Sequence, residues 1–145
     1  MIVLDTNVLS ELLVRGPAER VVAWVEQQPV ESLFVTTVTQ AEMLFGLALL
    51  PAGRRRDRLR HALDGMFAED FADRLLPFDD AAAQAFADIA ASRRRSGRPI
   101  SQFDAQIAAI CRSRGADLAT RNIDDFVDCG IRVIDPWKAA QLSTR

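Results

Sequence analysis

The sequence has few of the side chains on which much enzyme chemistry depends: one histidine, one lysine and two cysteines among 145 residues. His61 lies in an arginine-rich segment that we expect to be exposed, which argues against a zinc site and against Ser-His-Asp chemistry. Cys111 and Cys129 are spaced neither as a metal-ligand pair nor as a disulfide framework, and we expect two small, partly buried thiols. Any chemistry must therefore come from carboxylates, hydroxyls, amides and arginine.

Long apolar runs are also absent. No run approaches the roughly 20 residues needed to cross a bilayer, and the first residues lack the pattern of a signal peptide. We therefore expect a cytoplasmic protein without a membrane partner. The length of 145 residues predicts a single domain over residues 1–145, large enough to bury a core without a disulfide or a structural metal.

Positive charge is not in excess, since the net charge is −2, and this argues against a generic basic nucleic-acid binder. The basic residues are nevertheless clustered. One cluster contains Arg54, Arg55, Arg56, Arg58 and Arg60, and the other contains Arg93, Arg94, Arg95 and Arg98. From charge alone, both clusters are interpreted as solvated helix faces.

Short apolar runs alternate with segments of helical spacing. Strands are predicted at residues 2–4, 33–36, 75–78, 117–120 and 131–134. A first helix is predicted to have Pro17 in its first turn, and a second is predicted to run from a capping box at 39–42 to Leu50. Further helices are predicted over residues 54–70, from Asp79 or Asp80 to near Gly97, and from a second capping box at 101–104 to Gly115. A helical turn is predicted at 124–126. This alternation predicts an α/β fold with a parallel sheet and helices on both faces, in which ligands bind beyond the carboxyl ends of the strands.

Carboxylates and one amide lie where strand ends and helix starts are predicted to converge: Asp5, Glu42, Asp104, and Asn122 with Asp125. Carboxylates in such a cluster repel one another unless a cation compensates their charge. Mg²⁺ and Mn²⁺ prefer oxygen ligands, and Mg²⁺ usually keeps several waters, so a few carboxylates suffice. The cluster therefore indicates a divalent-metal site.

Each acidic residue also has a local structural explanation. Asp5 could cap the helix that follows it, and Glu42 and Asp104 could be the acidic partners of capping boxes. Three independent caps have no reason to share one end of a sheet, which favours the metal site. Gly46, one helical turn after Glu42, is costly inside a helix and indicates either close approach of a ligand or backbone, or tight helix packing.

In chain order, these motifs resemble the PIN-domain family, specifically its toxin branch, the VapC and FitB-like ribonucleases of type II toxin–antitoxin systems. The matching segments are residues 2–8 (IVLDTNV), 41–46 (AEMLFG), 104–109 (DAQIAA), 119–126 (ATRNIDDF) and 135–137 (DPW). No single segment is specific, but together they cover almost the whole chain. The resemblance implies a three-layer α/β/α sandwich with a short central parallel sheet.

The resemblance also implies that Asp5, Glu42 and Asp104 are catalytic carboxylates that bind metal. The fourth family position falls on Asn122, an amide where many members have Asp. Asn122 can still bind a metal or water through its carbonyl oxygen, and Asp125, three residues further, is the alternative source of the missing charge.

Other residues near the implied site have two interpretations each. Thr6 and Thr120 could orient Asp5, water or phosphate, or could be ordinary turn and cap residues at strand ends. Beside a metal-filled acidic centre, the first arginine cluster gains a second interpretation as contacts to RNA phosphates. The residues of this cluster that we expect to contact RNA are Arg54, Arg55 and Arg58.

The implied activity is hydrolysis of RNA phosphodiester bonds by water that one or two Mg²⁺ or Mn²⁺ ions activate. The implied partners are an RNA substrate, a second copy of the chain in a homodimer, and a VapB-like antitoxin that blocks the site with a helix or an arginine. Apolar faces at residues 9–14 or 43–50 could serve for the antitoxin contact, although the sequence does not separate them from core.

Two other classes of protein remain as alternatives. A PIN-like interaction module without activity is favoured by Asn122, whereas the three carboxylates favour an enzyme. A phosphotransferase or receiver-like domain would need a second nearby aspartate or a lysine beside the phosphoryl group. Lys138 lies outside any such motif, and no glycine-rich phosphate loop is present.

Overall fold

The centre of the fold is a sheet of five short parallel strands. The computed structural model describes residues 1–139. The strands are β1 (Ile2–Leu4), β2 (Leu33–Thr36), β3 (Leu75–Leu76), β4 (Asp117–Ala119) and β5 (Val133–Ile134). Their order across the sheet is β3-β2-β1-β4-β5, so β1 is central. All five predicted strands are confirmed, although β3, β4 and β5 are shorter than expected.

Six helices connect the strands. They are α1 (Thr6–Leu13), α2 (Glu19–Glu26), α3 (Thr37–Leu49), α4 (Arg54–Gly65), α5 (Asp80–Arg95) and α6 (Gln102–Arg114). A π-helical turn at Met66–Asp70 extends α4 to the predicted length, and 3₁₀ turns lie at Val30–Ser32 and Ile123–Phe126. No helix within residues 1–139 is long and apolar enough to cross a membrane.

The sheet is buried on both faces because side chains alternate along each strand. In β1, Val3 packs in a core with apolar residues of α5 and α6, whereas Leu4 packs in a second core with residues of α1 and α2. In β4, Leu118 and Ala119 divide between the same two cores. Helices therefore cover both faces, which confirms the predicted three-layer α/β/α sandwich.

Several predicted helix ends are confirmed. Asp79 Oδ1 accepts a hydrogen bond at 3.0 Å from a backbone N–H in the first turn of α5, so Asp79 is the cap of that helix. Ser101 Oγ accepts one at 3.2 Å from the backbone N–H of Asp104 and caps α6. Gly115 ends α6 with φ of 65°, a left-handed conformation that favours glycine.

Two predicted helix starts are wrong. The cap of α3 is Thr36, whose hydroxyl accepts from Thr39 N at 3.1 Å, so no capping box forms between Thr39 and Glu42. Thr36 is the last residue of β2, and its hydroxyl caps the helix three residues before the predicted cap at Thr39. The helix α3 therefore starts earlier than predicted, and Glu42 lies in its second turn. The cap of α2 is Ala18, so Pro17 precedes that helix instead of lying in its first turn.

The predicted surface is largely confirmed, with one exception. His61 is exposed, and Cys111 and Cys129 are free thiols, buried more deeply than expected. Arg93 contradicts the interpretation of the second arginine cluster as a solvated face, since it is 5% exposed. Its guanidinium donates to three backbone carbonyls, which replaces the hydration that an exposed arginine would have.

Candidate active site

The predicted acidic residues converge at the carboxyl ends of the strands. Asp5 directly follows β1, and Glu42 lies in α3, the helix that follows β2. Asp104 lies in the first turn of α6, and Asn122 lies just beyond β4. All four line one cleft of about 460 Å³. Residues that are far apart in the chain thus share one site, at the end of the sheet where the fold class predicts ligands.

The two oxygens of Asp5 have different partners. Oδ1 accepts a hydrogen bond from Thr6 N at 2.8 Å, which caps α1. Oδ2 accepts one from the Thr120 hydroxyl at 2.8 Å, and Asn7 Nδ2 lies 3.5 Å from it. Since Asp5 is only 5% exposed, these contacts hold its carboxylate in one orientation. Asp5 is therefore both a helix cap and a wall of the cleft.

Thr120 is the centre of the polar network behind Asp5. Its side chain is fully buried, and its hydroxyl donates to Asp5 while accepting from Asn7 Nδ2 and from Asn122 N, both at 3.1 Å. A threonine hydroxyl can donate one bond and accept two, so its hydrogen-bonding capacity is filled. Thr120 thereby connects the segment after β1 with the segment after β4.

Glu42 is oriented by the helix that follows β1. The hydroxyl of Thr6 donates to Glu42 Oε1 at 3.2 Å and lies 3.0 Å from the hydroxyl of Thr39. Thr6 belongs to α1, and Thr39 and Glu42 belong to α3, so the contact joins two helix starts across the cleft. The structure thus places Thr6 against Glu42 through its side chain and against Asp5 through its backbone N–H.

Burial raises the pKa of Asp5, Glu42 and Asp104 above their ordinary values. Neighbouring carboxylates raise each pKa further. The pKa of Asp5 is raised by Asp104 and Asp125, and the pKa of Glu42 is raised by Asp5 and Asp104. The pKa of Asp104 is raised by Asp125. Hydrogen bonds from hydroxyl and backbone N–H groups lower these pKa values without cancelling the increase. The cleft therefore holds negative charge that lacks sufficient compensation.

Asn122, and not Asp125, lines the cleft at the fourth position. Asp125 lies in the 3₁₀ turn Ile123–Phe126 and is exposed, although its charge raises the pKa of Asp5 and of Asp104. The two sequence alternatives therefore have different positions: the amide of Asn122 lines the cleft, whereas the carboxylate of Asp125 lies outside its wall.

The donor set suits a hydrated divalent cation. Within residues 1–139, no group of three or more His, Cys, Asp or Glu side chains is close enough to form a ready-made metal cage. Mg²⁺ is commonly bound by one or two carboxylates together with waters and substrate phosphates, and it prefers oxygen ligands. Asp5, Glu42 and Asp104 supply only oxygen, face one cleft and have raised pKa values, so their chemistry fits such an ion.

A larger groove of about 810 Å³ continues from the cleft, and Glu42 borders both. Its walls come from α1, α3 and α4, and they include Arg55 and Arg58, whereas Arg54 is exposed outside the wall. Gly46 also lines the groove, and a Cβ at this position would meet no heavy atom within 4 Å. Tight helix packing is therefore not the reason for glycine at position 46. Of the two explanations expected from the sequence, this leaves the close approach of a ligand from outside the chain.

The sequence family follows from comparison with known proteins. A PIN-domain family model matches residues 2–130. The chain belongs to the PIN-domain family.

The chain is 42% identical over 140 residues to the VapC ribonuclease Y4jK of Sinorhizobium fredii, covering 97% of this chain and 100% of that protein. It is 37% identical over 137 residues to the toxin FitB of Neisseria gonorrhoeae, covering 94% and 99%. The crystal structure of FitAcB from Neisseria gonorrhoeae superposes with a TM-score of 0.90 at 37% identity, covering 96% of this chain and 100% of that chain.

Membership of the PIN family confirms the resemblance and removes the receiver-like alternative. Some residues of this PIN site were not singled out from the sequence. Among them are Asn7, Thr39, Arg121 and Trp137, which contact the site network or line the cleft. Three of them lie within the segments that carry the resemblance, and that position was the available signal. Thr39 had no such signal, because its role depends on where α3 begins.

Proposed function

We propose that this PIN-domain chain is a toxin-type endoribonuclease that hydrolyses RNA phosphodiester bonds with Mg²⁺ or Mn²⁺ and is inhibited by a cognate antitoxin. The observation that carries the proposal is the convergence of Asp5, Glu42 and Asp104, all with raised pKa values, on one cleft. The names of its relatives, a VapC ribonuclease and a toxin, support the same activity.

The three carboxylates divide two tasks in this mechanism: holding the ion and orienting the attacking water. Asp5 and Asp104 would hold the ion, and Glu42 would hold it or orient the attacking water. When bound, the ion supplies a water of lowered pKa and stabilises charge on the phosphoryl and leaving oxygens. The 2.8 Å bond from Thr120 keeps Asp5 turned towards the cleft, and the 3.2 Å bond from Thr6 does the same for Glu42.

The fourth position is assigned to Asn122, with Asp125 in support. Asn122 lines the cleft and would bind the ion or its water through the side-chain carbonyl oxygen. Asp125 would add negative charge from outside the wall and would be the alternative to Asn122 at this position.

RNA phosphates would be bound by the first arginine cluster. Arg55 and Arg58 line the groove that continues from Glu42, and Arg54 stands at the start of the same helix. A strand of RNA with its scissile phosphate at the carboxylates would pass these guanidinium groups, which suit phosphate geometry. Binding should therefore weaken as salt rises, and neutralising Arg55 and Arg58 together should reduce that dependence.

The same groove is the proposed docking place for the antitoxin. Both apolar segments expected from the sequence contribute to it: Leu13 and Val14 come from the first, and Met43 and Leu50 from the second. A VapB-like partner would lay an apolar helix in the groove and direct a basic group towards the carboxylates, which would exclude RNA. We further propose that the chain forms a homodimer and that it acts in the cytoplasm, where its proposed RNA substrate would be.

Replacement of single carboxylates tests the proposed activity. Asp104→Asn and Asp5→Asn should lower Mn²⁺-dependent cleavage of cellular RNA by at least about 100-fold, since the loss of charge-stabilising groups has effects of this order. Asp88→Asn, an exposed aspartate on α5, is the matched control and should cleave normally. The products should carry 5′-phosphate ends, and 2′,3′-cyclic phosphate ends would exclude hydrolysis by metal-activated water.

A PIN fold without activity is the second candidate, because an amide stands at the fourth position of the cleft. The two candidates differ in a Mn²⁺ titration followed by calorimetry. Binding accompanied by RNA cleavage supports the enzyme. Absence of both supports an interaction module, in which the cleft would serve only to bind a partner.

A further inference from the structure

Arg121 and Trp137 form a stacked pair at the rim of the cleft. The guanidinium carbon of Arg121 lies 5.0 Å from the centroid of the Trp137 ring. Both side chains line the cleft that contains Asp5, Glu42 and Asp104. The carboxylates therefore have, beside them, a planar cation that lies over an aromatic ring.

Backbone contacts hold both members of the pair in place. Arg121 N donates to Asn7 Oδ1 at 3.2 Å, which ties it to the network behind Asp5. Trp137 N donates to Asp135 Oδ1 at 2.9 Å, and its side chain packs against the core formed with α1 and α2. The backbone positions that carry the pair are therefore fixed beside the segment that carries Asp5.

The chemistry of the pair suits an unpaired base. Arg121 is exposed, makes no ion pair within residues 1–139, and is the only basic residue of that range that lines the cleft. A guanidinium stacked on an indole keeps its N–H donors and its outer face available. Bases of single-stranded RNA stack on arginine planes and aromatic rings, while N–H donors bind phosphates or base edges.

We propose that Arg121 and Trp137 form a nucleotide subsite that takes the base next to the scissile phosphate, an inference that rests on the proposed ribonuclease function. The base stacks on the pair, and Arg121 donates hydrogen bonds to its edge or to the adjoining phosphate. Because stacking needs an unpaired base, the subsite selects single-stranded RNA over duplex and contributes to sequence preference at that nucleotide.

Fluorescence of Trp137 tests the subsite directly. The chain has two tryptophans and no tyrosine, and Trp24 is buried in the core. In a Trp24→Phe, Asp104→Asn protein, Trp137 is the only strong emitter and cleavage is suppressed. A short, mixed-sequence single-stranded RNA should quench this emission on binding, whereas a duplex of the same sequence should not.

Binding of labelled RNA, measured by anisotropy in the Asp104→Asn background, gives the second readout. Arg121→Ala and Trp137→Ala should each weaken binding roughly 5- to 100-fold, the range for loss of one stacked base. Trp137→Phe should restore most of the affinity, and Arg121→Lys only part, because an ammonium has charge without a plane. Arg132→Ala removes an exposed arginine that does not line the cleft and is the matched control.

The outcomes separate this inference from the proposed activity. If wild-type protein cleaves RNA but Trp137 emission does not respond, and the variants bind as well as the control, the subsite is wrong and the ribonuclease proposal stands. If emission is quenched but wild-type protein cleaves no RNA, stacking of a base on the pair stands, whereas the ribonuclease proposal and the placement of that base beside a scissile phosphate fall. Equal quenching by duplex RNA would overturn the stacking. Should Trp24→Phe not fold, the anisotropy series decides alone.

Discussion

At Asp5, opposing interactions decide the charge of one carboxyl group. Hydrogen bonds from Thr6 N and the Thr120 hydroxyl favour the carboxylate, whereas burial and the charges of Asp104 and Asp125 favour the protonated acid. Burial is the largest of these effects, so the pKa of Asp5 is raised. A charged Asp5 in the metal-free protein therefore costs stability, and a bound cation would relieve that cost.

We expect the metal-free protein to lose stability as the pH rises through the raised pKa values of its site. The ordinary pKa is 3.8 for Asp5 and Asp104 and 4.5 for Glu42. The folded state binds these protons more tightly than the unfolded state. Their contribution to stability is therefore complete below the ordinary pKa values and is lost as the pH rises through the raised pKa values of the folded state. Thermal unfolding in chelator from about pH 4 to about pH 8 measures this change.

The Asp5→Asn variant isolates the contribution of one acid. Asparagine caps a helix about as well as aspartate, so α1 keeps its start while the buried charge is removed. The fall in stability with pH should be shallower in Asp5→Asn than in wild type and unchanged in the control Asp88→Asn. Parallel curves for wild type and Asp5→Asn would show that burial of Asp5 has no such cost.

At the scale of elements, Arg93 joins the end of α5 to the segment between β4 and β5. Its guanidinium donates to the carbonyls of Arg98 at 2.7 Å, Asp125 at 3.0 Å and Val127 at 2.8 Å. The segment that it holds carries Asn122 and Asp125, and its charge also lowers the pKa of Asp104. Arg93 therefore positions one wall of the site without lining the cleft.

Arg93→Met should lower the free energy of unfolding by roughly 1–3 kcal/mol, because carbonyls that the guanidinium satisfies lose their donor. Arg93→Lys should recover only part of this loss, since one ammonium cannot reproduce the planar set of donors. Urea unfolding followed by circular dichroism measures both. Arg95→Met, an exposed neighbour on the same helix, should be close to neutral, and an equal effect there would contradict the role of Arg93.

For the whole molecule, α3 has two apolar faces with different surroundings. Met43, Gly46 and Leu47 follow one another at helical spacing and line the groove. Phe45 and Leu49 lie one turn apart on another face and are 65% and 69% exposed. Apolar side chains of this size exposed together are typical of an interface. We therefore propose that the groove face binds the antitoxin and that the Phe45–Leu49 face forms the homodimer interface.

Phe45→Glu should convert the dimer to a monomer, measured by light scattering. A two-fold interface uses the same patch on both subunits, so each substitution acts twice and removes at least about 2 kcal/mol of apolar burial. Val30→Glu changes a comparably exposed apolar residue on a 3₁₀ turn and is the control. A wild-type protein that is monomeric, or a Phe45→Glu protein that remains dimeric, would contradict this assignment.

The order of strands and helices could be predicted from the sequence because those signals are local. A strand is signalled by its own apolar run, and a helix by residues at its ends, such as the caps Asp79 and Ser101 and the terminating Gly115. Each of these signals lies within a few residues of the element that it specifies. The start of α3 was misplaced because Thr36 and Thr39 both fit a cap, and only the end of β2 decides between them. The burial of Arg93 was not predictable, because two of its three carbonyl partners lie 32 and 34 positions away.

The sequence alone predicted that Asp5, Glu42 and Asp104 belong to one acidic site, because their residue types and their positions near predicted strand ends and helix starts indicated it. Tertiary structure decided what surrounds those acids. The contact of Thr120 with Asp5 joins residues 115 positions apart, and the stacking of Arg121 on Trp137 likewise depends on the register of β1, β4 and β5. Local pattern specifies elements, whereas sheet register and helix packing bring distant side chains together, and only those specify the network around Asp5.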